Sequence, residues 1–435
     1  MNCAIGLDFA TEGARLILIN EQCEILNRFE TKLAKVNIGE NNSRTQDVKS
    51  WITALDYLIS EAASFIKNKS LNPVGMTITA TSGTFVLCDN KGNAITDGVM
   101  YNDGTADSPI NRAKLLGHPG TFFKHVPEYL IAYLTKDLDI PADWSHSLKT
   151  GFDLNKKRWL NNYEFIMPNV VAPGEELGTV HKSFDIGNIP IYAGMTDGCT
   201  GQISAGGTSV GSAVTTIGTT LVTKLISDKN ISGPGFYSHL LPDSIWLAGG
   251  ASNLGGISLR KFEDLDSMNK LAAENGPSNR VVYPLIGKGE RFPISDKEFV
   301  EVSTANPESN TDEFRSILEG IAFAERLSYE ILKESGGPKI SLMNTVGGGS
   351  KSFLWSQIRA TVLNMNVISR PTAGSDLGAA MIALASWMKG DLGKNLERMP
   401  LQNGTVVEPN ASEKDKLENN YQKFLKLIHH SHKDQ

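Results

Sequence analysis

Two short segments of this chain place acidic and hydroxyl side chains at an abrupt turn between apolar runs. The first reads Ile5-Gly-Leu-Asp-Phe-Ala-Thr-Glu-Gly-Ala-Arg15, and the second reads Val214-Thr-Thr-Ile-Gly-Thr-Thr-Leu-Val222. A β-hairpin that turns at such residues aims backbone N–H groups and hydroxyls at one point, where they can hold an anion. Two such hairpins in different halves of the chain predict a clamp for the polyphosphate of ATP.

Two aspartates stand where phosphoryl transfer needs acidic groups. Asp8 ends a predicted strand beside the first turn, where its carboxylate could hold Mg²⁺ through water or could simply cap the turn. Asp197 follows an apolar strand at 189–193 and precedes Gly198. Its carboxylate could accept the proton of an attacking substrate hydroxyl and share the Mg²⁺, and it could also serve as a helix N-cap. Asp8 and Asp197 are thus the candidate catalytic and metal-binding residues, and Asp197 is also a candidate substrate contact.

Glycine and hydroxyl residues mark the predicted ATP-binding segments. Backbone amides at glycines allow close approach of phosphates and of a flat purine. A tight strand-to-helix connection at 347–349 and a flexible loop at 255–256 are the alternative interpretations. The residues predicted to bind ATP are Thr11, Gly218, Thr219, Thr220, Gly255, Gly256, Gly347, Gly348, Gly349 and Ser350.

Polar residues on two loops of the first half predict a sugar site. Ser82 and Thr84 lie on one loop, and Asn102 and Asp103 lie on the other. Convergence of the two loops would match side chains to sugar hydroxyls. Asn102-Asp103 would otherwise be a plain turn.

The elements that position these residues repeat once per half of the chain. Hydrophobic periodicity predicts strands and helices in an α/β arrangement with a mainly mixed sheet in each half. The predicted strands include 3–9, 14–20, 24–30, 74–80, 189–193, 245–249 and 340–346, and the predicted helices include 48–67, 128–135, 155–162, 311–334, 352–364, 376–389 and a docked C-terminal helix at 412–431.

The composition narrows the class of protein. The chain has 435 residues, 40% of them hydrophobic and 21% charged, and a net charge of −6. Such a length suits two domains, and the acidic balance argues against nucleic-acid or anionic-membrane partners. The four cysteines show no metal-ligand spacing, and we find no leader pattern or membrane-spanning run. We expect a cytoplasmic enzyme, monomeric or homodimeric, that binds a small-molecule sugar and ATP.

Four blocks make the chain resemble the FGGY carbohydrate kinases over nearly its whole length. They are Gly6-Leu-Asp-Phe-Ala-Thr11, Gly194-Met-Thr-Asp-Gly198, Ile217-Gly-Thr-Thr-Leu221 and Gly347-Gly-Gly-Ser-Lys-Ser-Phe-Leu-Trp-Ser-Gln357. The resemblance implies an α/β fold of two actin-like ATPase (ribonuclease H-like) domains with a catalytic cleft between them. It implies an N-terminal domain of residues 1–204 plus 376–435 for sugar binding, the first phosphate motif and the catalytic base. Residues 205–375 would form a C-terminal nucleotide-binding domain.

Within this family, five further blocks look most like the ribulose-kinase-like group. They are Thr81-Ser-Gly-Thr84, Met100-Tyr-Asn-Asp103, Phe236-Tyr-Ser-His239, Gly250-Ala-Ser-Asn-Leu-Gly-Gly256 and Gly289-Glu-Arg-Phe-Pro-Ile294. The resemblance implies ATP-dependent, Mg²⁺-assisted phosphorylation of a ketopentose at the terminal O5 hydroxyl. D-ribulose is the first expectation, and D-xylulose or another small sugar or polyol is the alternative.

Two positions depart from the family pattern. Glu12 stands where Ser or Thr is usual, and Thr105 stands where many members carry Arg. A carboxylate at residue 12 is unfavourable beside a triphosphate unless it turns away or meets a cation such as Arg15. A non-catalytic nucleotide- or sugar-binding regulator is therefore a rival hypothesis, and an assembly-forming actin-like protein is a third. Retention of both Asp8 and Asp197 favours the enzyme.

Overall fold

A computed structural model describes residues 1–161 and 163–431 of the chain. They form two compact units. The first comprises residues 1–204, 239–244 and 373–401, and the second comprises 205–238, 245–372 and the described residues from 402 on.

The strands are mostly short and are labelled in chain order. They are β1 Asn2–Phe9, β2 Gly13–Asn20, β3 Ile25–Lys32, β4 Asn37–Ile38, β5 Arg44–Gln46, β6 Asn72–Ala80, β7 Phe85–Cys88, β8 Gly98–Val99, β9 Phe122–His125, β10 Ala142–Asp143, β11 Phe152–Asp153, β12 Arg158–Trp159, β13 Val170–Val171, β14 Glu176–Thr179, β15 Pro190–Tyr192, β16 Ser212–Ile217, β17 Leu221–Ser227, β18 Phe236–Leu240, β19 Trp246–Ser252, β20 Val282–Tyr283, β21 Val302–Ser303, β22 Leu342–Val346, β23 Val367–Ser369 and β24 Thr405–Val407.

The α-helices are labelled in the same way. They are α1 Val48–Lys69, α2 Pro109–Leu116, α3 Val126–Thr135, α4 Trp144–Leu148, α5 Asp197–Ser204, α6 Leu265–Asn275, α7 Asn310–Glu334, α8 Phe353–Leu363, α9 Ser375–Trp387, α10 Leu392–Arg398 and α11 Lys414–Ser431. Among the described residues, none of these helices combines the length and the apolar character needed to cross a bilayer.

The main sheets of the two units share one strand pattern. In the first unit the order is β14-β15-β6-β1-β2-β3, and in the second it is β18-β19-β17-β16-β22-β23-β24. In each sheet an antiparallel hairpin, β1–β2 or β16–β17, is joined on its first strand by a parallel neighbour, β6 or β22. This mixed α/β architecture agrees with the predicted fold class, two actin-like ATPase domains.

The core of the first unit lies between its sheet and the helices on either side. α1 buries one apolar face, including Trp51, Leu55 and Leu58, as its 3.6-residue periodicity predicts. α9 packs directly on β1 at Gly6, where a Cβ atom would lie 2.1 Å from the carbonyl oxygen of Asp376. Only glycine allows this approach, which brings the N-terminus of α9 close to Asp8.

Most predicted elements are confirmed, but the helix predicted at 155–162 is wrong. Residues 154–157 instead turn between β11 and β12, which pair as an antiparallel hairpin. The Asp153 side chain accepts hydrogen bonds from the backbone N–H groups of Asn155 and Lys156, both at 2.9 Å. This Asx turn competes with a helical start. Asn162, at the end of the predicted range, lies outside the described residues.

The C-terminal helix is confirmed as a docked amphipathic element, but its position differs from the expected domain assignment. We expected residues 376–435 to join the N-terminal domain. Residues 373–401 do lie in the first unit, whereas α11 packs in the second, where Tyr421 and Phe424 contact Phe323. The reason is the apolar face of α11, which completes the core formed by α7 and α8. Residues 432–435 lie outside the described part of the chain.

Candidate active site

Asp8 is a buried carboxylate at the end of β1. One oxygen, Oδ2, accepts a hydrogen bond from Arg15 Nη1 at 3.1 Å, and the other, Oδ1, has no hydrogen-bond partner among the described residues. Burial raises the pKa of Asp8 to about 7, and the charges of Asp197 and Asp376 add to this, while Arg15 opposes it. Asp8 and Asp197, the two acids predicted from the sequence, are therefore close enough in the first unit for the charge of one to raise the pKa of the other.

Asp197 is the first residue of α5 and follows the short link from β15. Its Oδ1 accepts a hydrogen bond from the backbone N–H of Gly198 at 2.7 Å. Burial raises the pKa of Asp197, while the Gly198 N–H and the positive charges of His146 and Lys149 oppose the rise. The half-buried carboxylate thus lies at a strand-to-helix junction with the raised basicity that suits a proton acceptor.

Asp376 is a third acid of this site and was not identified from the sequence. It lies in the first turn of α9 and forms an ion pair with Arg28, whose Nε is 2.7 Å from Oδ2. In the sequence, Asp376 is simply an acidic residue at the start of an apolar helix. Acidic residues are common there because they interact favourably with the helix dipole, so this position does not by itself indicate a site. The close packing of α9 on β1 is what brings it near Asp8.

The donor set fits a hydrated divalent cation better than a closed metal cage. Within residues 1–161 and 163–431, no group of three or more His, Cys, Asp or Glu side chains is arranged to hold a metal ion. Asp8 Oδ1 is nevertheless a buried carboxylate oxygen that lacks a hydrogen-bond partner within the described part of the chain. Mg²⁺ is held in many enzymes by one or two carboxylates, several waters and substrate phosphates. Asp8 and Asp197 match that chemistry.

The two predicted sugar loops are in contact. The backbone N–H of Tyr101 donates to Thr84 Oγ1 at 3.1 Å, and Thr84 Oγ1 also lies 2.7 Å from Thr81 Oγ1. Ser82 Oγ and Asn102 Oδ1 are buried and have no hydrogen-bond partner among the described residues. Ser82 and Asn102 therefore retain polar atoms for a ligand, whereas the Thr84 hydroxyl holds the loops together.

Asp103, which is predicted to contact the sugar, has both its carboxylate oxygens bonded within the chain. Oδ2 accepts from the Arg44 N–H at 2.5 Å, and Oδ1 accepts from the N–H and hydroxyl of Thr105. Arg112 lies 3.8 Å away and supplies a guanidinium beside this loop. Despite burial, these contacts hold the pKa of Asp103 below its usual range. Thr105, the second departure from the family pattern, is thus part of the loop's internal bonding.

Thr11 and Glu12 lie in the turn after β1. The Thr11 carbonyl accepts from Gln46 Nε2 at 2.9 Å, and Glu12 is exposed. Both residues line a surface cavity of about 580 Å³ together with Lys32, Lys35 and others. Arg15, the cation expected to meet Glu12, instead bonds to Asp8.

A cavity of about 420 Å³ in the second unit collects five of the ten residues predicted to bind ATP. It is lined by Gly218 and Thr219 of the second hairpin, Gly256, and Gly348 and Gly349 after β22. Apolar side chains cover much of the remaining wall, and Arg260 and Asn269 add polar groups. A largely apolar cavity next to a glycine-rich turn is suited to a purine nucleotide.

The other residues of the second unit that are predicted to bind ATP lie beside the cavity and do not line it. They are Thr220, Gly255, Gly347 and Ser350. Thr220 closes the hairpin turn through its carbonyl, which accepts from the Gly218 N–H at 3.0 Å. Gly255 adopts a φ of +147°, and a Cβ there would lie 2.7 Å from the Thr219 carbonyl oxygen. Gly347 and Ser350 are tied by a bond from Ser350 Oγ to the Gly347 carbonyl at 2.7 Å.

Several cavity residues were read from the sequence only as core. From the sequence, helical periodicity predicts Phe314 and Leu318 on the inward face of the helix at 311–334, and Trp355 is expected to be a core residue. All three are buried, and all three also line the cavity. Leu259, Arg260, Phe262, Leu265 and Asn269 carry no recognisable signal in the sequence, whereas Ser352 lies within the quoted block 347–357.

Comparison with known proteins agrees with this geometry. Residues 213–387 match the model of the C-terminal domain of the FGGY family of carbohydrate kinases. A xylulose kinase of Staphylococcus epidermidis is 23% identical, with 96% of this chain and 94% of that protein covered. A xylulose kinase of Bacillus subtilis is 24% identical, with 88% of each covered.

The fold is shared with solved structures over the whole chain. A crystal structure described as a xyloylose kinase from Brucella ovis superposes with a TM-score of 0.89 at 19% identity, and 100% of both chains is covered.

Proposed function

We propose that the chain is a carbohydrate kinase of the FGGY family and that it transfers the γ-phosphoryl group of ATP to the terminal O5 hydroxyl of a ketopentose. The observation that carries this proposal is the arrangement of the first unit. A basic carboxylate, Asp197, lies near a second acid, Asp8, in the same unit as two loop residues with unpartnered polar atoms, Ser82 and Asn102.

Asp197 is proposed as the general base. Its carboxylate accepts the proton of the sugar hydroxyl as that oxygen attacks the γ-phosphorus and the bond to the β-phosphate oxygen breaks. The Gly198 N–H holds one carboxylate oxygen and fixes the direction of the other. Positioning of this kind supplies most of the rate in phosphoryl transfer, since little covalent chemistry is needed from the protein.

The nucleotide is assigned to the second unit. The base and ribose fit the apolar cavity, and the amides of Gly218 and Thr219 bind phosphate oxygens. Thr11, in the first hairpin, is proposed to contribute a further phosphate contact. When bound, Mg²⁺ would neutralise charge on the phosphates, and Asp8 and Asp197 are the residues proposed to hold it.

The sugar is proposed to bond to Ser82 and Asn102, with Thr84 and Asp103 holding their loops. Sequence blocks around Ser82 and Asn102 favour D-ribulose, and the named relatives favour D-xylulose. Both are ketopentoses with a free terminal hydroxyl, so the reaction class is the same.

A coupled ADP-release assay over D-xylulose, D-ribulose, L-ribulose, glycerol and gluconate tests the substrate class. We expect one of the two D-ketopentoses to have the highest kcat/KM. A higher value for glycerol or gluconate would reject the sugar assignment but retain the kinase. Binding of an ATP analogue without turnover of any sugar or polyol would favour the regulatory hypothesis.

The role of Asp197 is tested with Asp197→Asn. Loss of a positioned proton acceptor lowers kcat by about two to four powers of ten, and ATP affinity should change little, because asparagine keeps an oxygen that can face the Mg²⁺ and the direct nucleotide contacts are proposed in the second unit. The matched control is Asp139→Asn, an exposed residue of the same unit. Retention of most activity in Asp197→Asn would remove it from this role.

A further inference from the structure

A fully buried histidine lies near Asp197, the proposed catalytic base. His146, in α4, has its Nδ1 2.5 Å from Asp143 Oδ2 and its Nε2 3.2 Å from the carbonyl oxygen of Ala80. An ionised carboxylate and a backbone carbonyl can only accept hydrogen bonds. To satisfy both contacts the ring must donate from both nitrogens, which requires the doubly protonated imidazolium.

The surroundings of the ring support a positive charge. Asp143 also accepts from Ser145 Oγ at 2.6 Å and from two backbone N–H groups, so its carboxylate is held in the ionised form. Burial would lower the pKa of His146, but the Asp143 charge and hydrogen bond, with a smaller effect of Glu128, raise it to about 9. Other titratable groups nearby are Asp197, whose pKa the charges of His146 and Lys149 lower, and His125, whose ring centroid is 6.0 Å away and whose Nδ1 lies 2.8 Å from Glu128.

The same network reaches both proposed sugar-site segments. Ala80, the partner of Nε2, ends β6 immediately before the loop that carries Ser82. Ser145 Oγ, which donates to Asp143, accepts the backbone N–H of Thr196 at 2.9 Å, and Thr196 precedes Asp197. A chain of hydrogen bonds within the first unit thus runs from the Ser82 loop through His146, Asp143 and Ser145 to the catalytic loop.

We propose that His146 is a positioning residue, an imidazolium at neutral pH that ties the loop bearing Ser82 to the loop bearing Asp197. The role of the two loops rests on the proposed function. The charge of the ring, and its bonds to Asp143 and Ala80, rest on the structure. A neutral ring would leave either Asp143 or the Ala80 carbonyl without its donor, and the link between the loops would be broken.

The protonation state can be measured without any assay of activity. In ¹⁵N-histidine-labelled protein at neutral pH, both ring nitrogens of His146 should resonate in the region of protonated nitrogens. The signal is assigned by its loss in His146→Gln. One ring nitrogen at the strongly downfield position of an unprotonated imidazole would overturn the inference.

Asp143→Asn provides the matched perturbation. It removes the anion that stabilises the ring, so His146 should lose a proton at neutral pH and one nitrogen should move downfield. Asp139→Asn, an exposed change of the same type, should leave the signal in place. An unchanged signal in Asp143→Asn would show that Asp143 is not the source of the charge and would reject the network.

Kinetics test the positioning role separately. Because a misplacement of about 1 Å can cost about a hundredfold in rate, His146→Gln should lower kcat by about tenfold to a hundredfold per folded molecule. Its KM for ATP should stay within about twofold, since uniform binding is not altered. The control is His118→Gln, an exposed histidine of the same unit. An unchanged kcat would reject the positioning role.

The outcomes separate this inference from the proposed function. A protonated ring in a protein that phosphorylates no sugar would refute the proposed function and the positioning role, and would leave the imidazolium standing. An active kinase with a neutral ring would overturn this inference alone.

Discussion

At the scale of single residues, Glu12 is the departure that most directly concerns phosphate binding. A carboxylate about 4 Å from a phosphate oxygen would cost on the order of 4 kcal/mol at an effective dielectric near 20. Glu12 is exposed and shares its cavity wall with Lys32 and Lys35. A side chain in contact with water and near cations loses most of that repulsion.

We therefore expect Glu12→Ser to change the KM for ATP by less than about tenfold, which corresponds to less than about 1.4 kcal/mol. Steady-state kinetics with saturating sugar measure this. A hundredfold gain in ATP affinity would show that the natural residue impairs the phosphate site and would favour the non-catalytic regulator.

His146 makes a second prediction at this scale, on stability. Its pKa is raised from 6.5 in the unfolded chain to about 9 in the folded protein, chiefly by Asp143 acting against burial. The folded state then binds the proton more tightly, so the stabilisation is complete below pH 6.5 and is lost as the pH rises through about 9. The loss is on the order of 3 kcal/mol at most.

Urea unfolding across this pH range measures the effect as a difference between wild type and His146→Gln. Wild-type stability should fall more steeply with pH than that of the variant. Other groups that titrate in the window, including Asp8, are common to both proteins and cancel. Parallel curves would contradict the raised pKa.

At the scale of elements, α11 is the part whose packing was least evident from its position in the chain. Phe424 is fully buried against Tyr283 and Phe323, while the adjacent Lys423 is exposed. Phe424→Ala removes a large buried side chain, and such changes cost about 3–5 kcal/mol.

We expect Phe424→Ala to destabilise the second unit, and Lys423→Ala to have almost no effect. Hydrogen exchange by mass spectrometry should show the loss of protection in α7, α8 and α11. Equal loss in β1 and β6 of the first unit would mean that the two units do not unfold separately.

At the scale of the whole molecule, the proposed ligands fall on different units. A non-hydrolysable ATP analogue should slow hydrogen exchange at 217–220, 255–260 and 347–355, which carry the cavity of the second unit. A ketopentose alone should slow exchange at 81–84 and 100–103 in the first unit. If the nucleotide alone slowed exchange at 81–84 and the sugar did not, the sugar would no longer be assigned to the first unit or the nucleotide to the second.

Much of the fold and part of the site follow from local sequence. The hairpin turns, the strand-end position of Asp8 and the strand-to-helix position of Asp197 depend on nearest neighbours along the chain. Alternating and 3.6-residue patterns determine which side chains point inward. The main strands of the two hairpins and the long helix α7 were predictable for that reason. The prediction of a helix at 155–162 was wrong because hydrophobic periodicity gives no sign of an Asx turn, which is formed by side-chain hydrogen bonds.

Tertiary packing, in contrast, determines which groups the inward-facing side chains contact. Phe314 and Trp355 line a cavity as well as a core, Thr84 and Asp103 bond inside their loops, and α11 joins the second unit. Asp376 becomes part of the acid site only because α9 packs on Gly6. Each of these arrangements depends on contacts between residues that are far apart in the chain. Local sequence thus specifies which chemical groups the protein carries and where they stand along the chain, and long-range packing sets which of them stay free to bind a ligand.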